Sequence, residues 1–137
     1  MVVLELDHLK GKKHLQQVVL LQLIAQLNNE FYLGDRRVPK ILLVDEAWEA
    51  FEEPMVAKFL KGAFRRMRKA AAAPVVVTQS LRDLYNSASG EAIANNAANV
   101  IVLRQNGEAI EALKESGRFN IGDYGYEMLK SLHTEPG

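Results

Sequence analysis

Ile41-Leu42-Leu43-Val44-Asp45-Glu46-Ala47-Trp48 sets four apolar residues directly before two carboxylates. A continuous apolar run of this length suits a strand buried on both faces, as in a parallel sheet. It places Asp45 and Glu46 at the strand's carboxyl end, where open α/β sheets bind their ligands. In a nucleotide hydrolase two such acids divide the work. Asp45 holds Mg²⁺ through its water shell, and the ion neutralises phosphate charge. Glu46 orients or polarises the attacking water, as a carboxylate within hydrogen-bond reach can. The pattern is that of a Walker B motif. On the motif alone a structural alternative stays open, in which the two acids end a strand and cap the next helix.

Working outward, Val75-Val76-Val77-Thr78-Gln79-Ser80 is a second apolar run ending in polar residues, one crossover downstream. If the two strands are neighbours, Thr78 and Gln79 emerge beside Asp45 and Glu46. A neutral hydrogen-bonding side chain there is placed to contact a γ-phosphate or the attacking water. Ser80 caps a short helix to Tyr85 on either reading.

The aliphatic segments Val2–Leu6, Lys40–Asp45, Pro74–Thr78 and Val100–Leu103 read as strands. Between them lie helical stretches, and this alternation indicates an α/β fold with a mostly parallel sheet and flanking helices. The first helix spans Lys12 to Leu33 and is apolar around most of its circumference. The second begins at Pro54, suited to a first turn, and repeats Met55, Val56, Phe59, Leu60, Ala63, Phe64 and Met67 at helical spacing. Its other face carries Lys58, Lys61, Arg65, Arg68 and Lys69. Ser89–Asn96 follows the Tyr85 helix, with Ser89 as N-cap and Glu91 in the first turn. Two further helices are expected, over Asn106–Glu115 and Gly122–Leu132.

The whole chain of 137 residues accommodates one domain. Its net charge is zero, which gives no push towards nucleic acid or membrane, and no direct nucleic-acid site is evident. There is no cysteine, so disulfides and thiolate metal sites are excluded. His8, His14 and His133 are isolated and lack metal-ligand spacing. No secretory leader is read at Met1, and glutamines interrupt the Leu15–Leu27 run, well short of the roughly 20 apolar residues a membrane span needs. A cytoplasmic protein is the default.

At this point the sequence resembles a family. Val2–Leu6, the LLVDEAW segment, the basic run Arg65-Arg66-Met67-Arg68-Lys69 and VVVTQSLRDLYNS are similar to the type IV secretion ATPases, specifically the TraC group of conjugative transfer proteins. The likeness continues through Gly90–Asn96 and Gly125–Ser131, in one order along essentially the whole chain. It implies a RecA-like P-loop motor core, hexameric in the parent protein and peripheral at the inner membrane. Such a motor uses ATP and Mg²⁺, works with other type IV secretion components, and powers pilus assembly and conjugative DNA transfer. From their place at the strand ends, Asp45 and Thr78 are read as contacting the nucleotide or its Mg²⁺, and Glu46 and Gln79 as acting at the attacking water. Arg68, or its neighbours Arg65 and Arg66, reaches a neighbouring subunit as an arginine finger. The plainer reading of these arginines is a solvated helix face. Arg104 and Gln105, ending the fourth segment, are further candidates. Trp48 and Tyr85 are read as packing at the sheet edge.

The resemblance also shows departures. No G-x-x-x-x-G-K-[ST] occurs, and Lys10-Gly11-Lys12-Lys13 lacks the turn glycines and hydroxyl that a phosphate cradle requires. Relatives continue past His133-Thr134. The chain therefore reads as a fragment of a motor domain, with the Walker A strand and loop missing and no bound cofactor expected. Where relatives carry an aromatic residue and two glycines, this chain has Ala70-Ala71-Ala72-Ala73. In a RecA-like order the missing strand lies between Pro74–Thr78 and Val100–Leu103. The expectation is that Val100–Leu103 moves beside Pro74–Thr78, or that a second copy of the chain fills the gap. Two other classes stay open: a non-catalytic module binding full-length subunits, and a DNA-translocating motor of the coupling-protein type.

Overall fold

Lys40–Val44 forms strand β1 and Ala72–Val76 forms β2. The two pair in parallel, with Lys40 opposite Ala72 and Val44 opposite Val76. The computed structural model describes residues 2–5 and 11–132, in an α/β arrangement whose sheet has these two strands. The remaining elements are α1 (Lys13–Asn28, extended by a π turn to Leu33), α2 (Ala47–Glu52), α3 (Pro54–Arg66, then a 3₁₀ turn to Ala70), α4 (Leu81–Tyr85), α5 (Ala88–Ala94), α6 (Gly107–Ser116) and α7 (Gly122–Ser131).

The expected helix from Pro54 is α3, with Pro54 in its first turn and Ala57, Leu60 and Ala63 buried along one stripe. That stripe meets the inward side chains Leu42, Val44 and Val76 of the sheet, with Ala47, Phe51 and Ile93 completing the core. A neighbouring cluster of Phe31, Ala63, Met67 and Ala72 seats the end of the first helix on α3. Ile110, Tyr126 and Leu129 form a separate small core between α6 and α7, against Val102, Phe119 and Ile121. Tyr126 closes it by donating its hydroxyl to the Phe119 carbonyl.

Several expectations require correction. The strands are covered on one face only: Ile41 and Leu43 on β1 are 72% and 61% exposed, and Val75 and Val77 project from the same uncovered side. No element among the described residues packs there. Residues 2–5 are not in a strand, and Leu6 lies outside the described residues. Val100–Leu103 is also not a strand, with Ile101 87% exposed. A strand exists only beside a partner that completes its ladder, and neither segment has one among the described residues.

Val100–Leu103 does not move beside β2. Ala71 accepts from Lys40 N–H and Val77 N–H donates to Val44 O, so the odd-numbered residues of this stretch bond β1. The missing N–H of Pro74 then falls on the outer edge of β2, as is usual for proline in edge strands. The strand also runs two residues earlier than Pro74–Thr78. Its start is set by Ala71, which adopts φ 53°, ψ 37° and turns the chain out of the 3₁₀ helix. Its end is set by Thr78, whose hydroxyl turns to the Ser80 carbonyl.

The cap of α5 is Ser87 rather than Ser89: its hydroxyl accepts Gly90 N–H at 2.9 Å. Gly90 fixes this start, because a Cβ there would lie 2.1 Å from the Leu84 carbonyl oxygen where α5 closes on α4. Glu91 does occupy the first turn. Asn106 caps α6 as its spacing requires, and α7 starts at the expected Gly122.

Candidate functional site

The carboxyl end of β1 delivers Asp45 and Glu46 at a sharp turn into α2. Asp45 accepts the Glu46 N–H on Oδ1 at 2.9 Å, which leaves its other oxygen facing outward. Glu46 itself sits in the left-handed region, at φ 48°, ψ 44°. For a residue with a long side chain this conformation costs about 1–2 kcal/mol. The next residue secures the turn: Ala47 is fully buried and donates its N–H to Val77 O at 3.0 Å. The strained residue is thus pinned between a strand and a buried helix start.

The turn aims the Glu46 carboxylate across the sheet end. Its Oε1 accepts from Gln79 Nε2 at 2.7 Å, and its Oε2 accepts from Trp48 Nε1 at 2.8 Å. Hydrogen bonds to an ionised acceptor are the stronger kind. Gln79 therefore does emerge beside Glu46, one strand over. Thr78 emerges with it, but its hydroxyl is engaged with the Ser80 carbonyl at 3.0 Å. Ser80 closes a capping box on α4, accepting Arg82 N–H and donating its own N–H to Asp83.

The arginines fall elsewhere. Arg68 lies in the 3₁₀ turn that leads into β2, at the opposite end of the sheet from Asp45 and Glu46. Arg65 is exposed nearby, and Arg66 stacks over the Tyr32 ring at 5.6 Å while reaching back to Gly62 O. None is brought to the carboxylate pair within this chain. Gln105 holds the start of α4 by accepting Leu81 N–H at 3.3 Å. Arg104 lines an open cleft of about 730 Å³ between the start of α6 and the end of α7, away from the acids. Tyr85 packs obliquely on Phe119, and its carbonyl accepts Arg118 Nη1 at 2.8 Å.

The donor set decides what the site can hold. Among the described residues no three His, Asp or Glu side chains converge on a metal position. His14 is exposed on α1, and His8 and His133 lie outside the described residues. Mg²⁺, however, keeps most of its water and binds through one or two carboxylates plus substrate phosphates. A single outward oxygen on Asp45 fits an ion of that kind arriving with a nucleotide. It does not make a self-standing metal site.

Trp48 is the side chain that the sequence reading left out of the site. The available signal was its spacing, two residues after Glu46 across a strand-to-helix turn, which brings both side chains to one side of the turn.

Comparison with known proteins agrees with this architecture. The family model described as the TraG P-loop domain matches residues 1–115. Protein TraC of Escherichia coli (strain K12) is 29% identical over 125 residues, covering 88% of this chain and 14% of TraC. The chain thus spans a small part of the curated relative it matches. No solved structure matches it.

Proposed function

Because the chain belongs to the TraG P-loop domain family, we propose that it forms the Walker B wall of an ATP-hydrolysing motor serving conjugative transfer through a type IV secretion system. One observation carries this reading: the carboxylate pair stands at the carboxyl end of a parallel strand, with Gln79 from the adjoining strand on Glu46 at 2.7 Å. Mg²⁺ and ATP, when bound, supply the electrophilic phosphorus and neutralise its charge. Asp45 would hold the hydrated ion. Glu46 orients the attacking water and receives its proton. Gln79, already bonded to Glu46, links that carboxylate to the strand end where the γ-phosphate would lie, and Thr78 supports the segment from behind.

The backbone cradle for the phosphates is not in this sequence, so hydrolysis requires a phosphate loop from outside these 137 residues. In the parent assembly, which we take to be a hexamer at the inner membrane with other secretion components, Arg68 would act on a neighbouring copy. No helix among the described residues is long and apolar enough to cross a membrane.

The test is ATP turnover by this chain alone against a version extended to include the family's phosphate loop. Turnover confined to the extended version supports the motor; an extended version inert across several metal and oligomer conditions contradicts it. A second reading is a non-catalytic module that binds full-length subunits. It is favoured by the missing phosphate loop together with the uncovered side chains Ile41, Leu43, Val75 and Val77. Tight binding of the chain to the extended protein, with no turnover by either, would select it.

A further inference from the structure

We infer that Trp48 is a positioning residue that holds the Glu46 carboxylate, and that it is the fixed one of the two donors on that group. This deepens the hydrolase reading and rests on it only for the use to which Glu46 is put. The carboxylate takes one donor on each oxygen, and the two come from different elements. Gln79 is exposed between β2 and α4, and among the described residues its side chain bonds Glu46 alone. A γ-phosphate at the sheet end, itself an anionic acceptor, can therefore compete with the carboxylate for its N–H groups. Trp48 stands in the first turn of α2, directly after Ala47, which is fully buried and bonded to Val77 O. Its indole has one polar atom, a donor only, whereas the Gln79 amide carries two N–H donors and an acceptor that can take other partners.

The arrangement solves a problem created by the backbone. A glutamate in the left-handed conformation points its side chain away from the line of the strand, and a three-carbon stem has several rotamers. A bond from a ring with two χ angles selects one of them at small entropic cost. When Gln79 leaves, Glu46 stays aimed.

The chain has one tryptophan, so its indole N–H gives a single cross-peak in a ¹H–¹⁵N spectrum of the 137-residue protein. The variant to compare is Glu46→Gly, which removes the carboxylate while suiting the left-handed backbone. Glu46→Gln serves as an isosteric check, and the backbone cross-peaks of β1 and β2 report that each variant is folded. The expected result is an upfield shift of the indole proton in Glu46→Gly, with exchange about tenfold or more faster, as loss of a bond to a charged acceptor implies. Gln79→Ala should leave the indole resonance near its original position. An indole unchanged in shift and exchange in folded Glu46→Gly overturns the inference, as does one that moves as far in Gln79→Ala.

A second arm uses the version extended by a phosphate loop. Trp48→Phe keeps an aromatic ring without the N–H donor and lowers kcat roughly tenfold or more, with KM for ATP unchanged, as expected of a group acting through Glu46. Unchanged kcat in Trp48→Phe, where Glu46→Gln is inactive, sinks the positioning role alone. Unchanged kcat in Glu46→Gln sinks the hydrolase reading instead.

Discussion

Ala71→Gly should stabilise the fold by about 1 kcal/mol, and the size of the effect follows from one torsion. Ala71 sits at φ 53°, ψ 37°, between the 3₁₀ turn and β2. A Cβ in that conformation crowds the following carbonyl at a cost of about 1–2 kcal/mol. Glycine removes the crowding, and its freer unfolded chain returns about 0.4–1 kcal/mol of that gain. The backbone bonds of Ala71, from Lys40 N–H and to Arg68 O, are unaffected because no side chain takes part in them. With a urea slope of about 1–3 kcal/mol per molar, the midpoint should rise by roughly 0.5 M. The assay is equilibrium urea unfolding followed by far-ultraviolet circular dichroism, with an unchanged slope as the control. A fall in the midpoint would refute the reasoning, since it would mean that Ala71 is not left-handed and that β2 begins differently. The comparison with Glu46→Gly is informative. That residue has nearly the same torsions, but its carboxylate accepts two hydrogen bonds that glycine forfeits. Its gain should therefore be smaller than that of Ala71→Gly, or absent.

Gly90→Ala should destabilise by about 2–3 kcal/mol in the same assay, because the new Cβ would meet the Leu84 backbone oxygen at 2.1 Å and neither helix can yield without the other. Leu60→Ala, at a side chain 1% exposed in the main core, should cost about 2–5 kcal/mol. The α6–α7 hairpin should loosen in acid. Lys130 holds the Glu111 carboxyl below the usual carboxylate range and Lys114 does the same to Asp123, chiefly by hydrogen bonding. Stabilisation from a depressed acid is complete above the unfolded value and fades as pH falls through the folded one. Both groups are exposed, so the effect is small, weaker at high salt, and should disappear in a Lys114→Met, Lys130→Met double variant followed by tyrosine fluorescence. Ile41→Glu on the uncovered sheet face should reduce self-association in analytical ultracentrifugation and leave the circular dichroism unchanged.

What the sequence made legible was what local chemistry decides. Pro54 and the apolar stripe behind it located α3, and Asn106 located α6. The apolar run before Asp45 located β1, together with the side of the sheet where the acids emerge. What it hid depends on neighbours. Val100–Leu103 has strand composition, yet a strand is a property of a pair, and among the described residues no partner lies beside it. Covering of the second sheet face likewise depends on a neighbouring element, and among the described residues none packs there. The Ala70–Ala73 run showed that glycines were missing, but not that Ala71 would adopt the left-handed torsion anyway. At the site, Glu46 and Gln79 could be placed near one another from strand ends alone. For Trp48 the spacing from Glu46 was the one signal, and the bond itself also depends on the left-handed turn at Glu46, for which the residue type gives no hint.

The central claim is that Glu46 acts on the water that attacks a nucleotide. The most direct measurement is phosphate release by the phosphate-loop-extended protein, with Glu46 intact and as Glu46→Gln, at saturating Mg²⁺ and ATP. The account predicts a fall in kcat of roughly 10²–10⁴-fold, the range for losing a positioned base, with ATP still bound. Equal rates for the two proteins would contradict it.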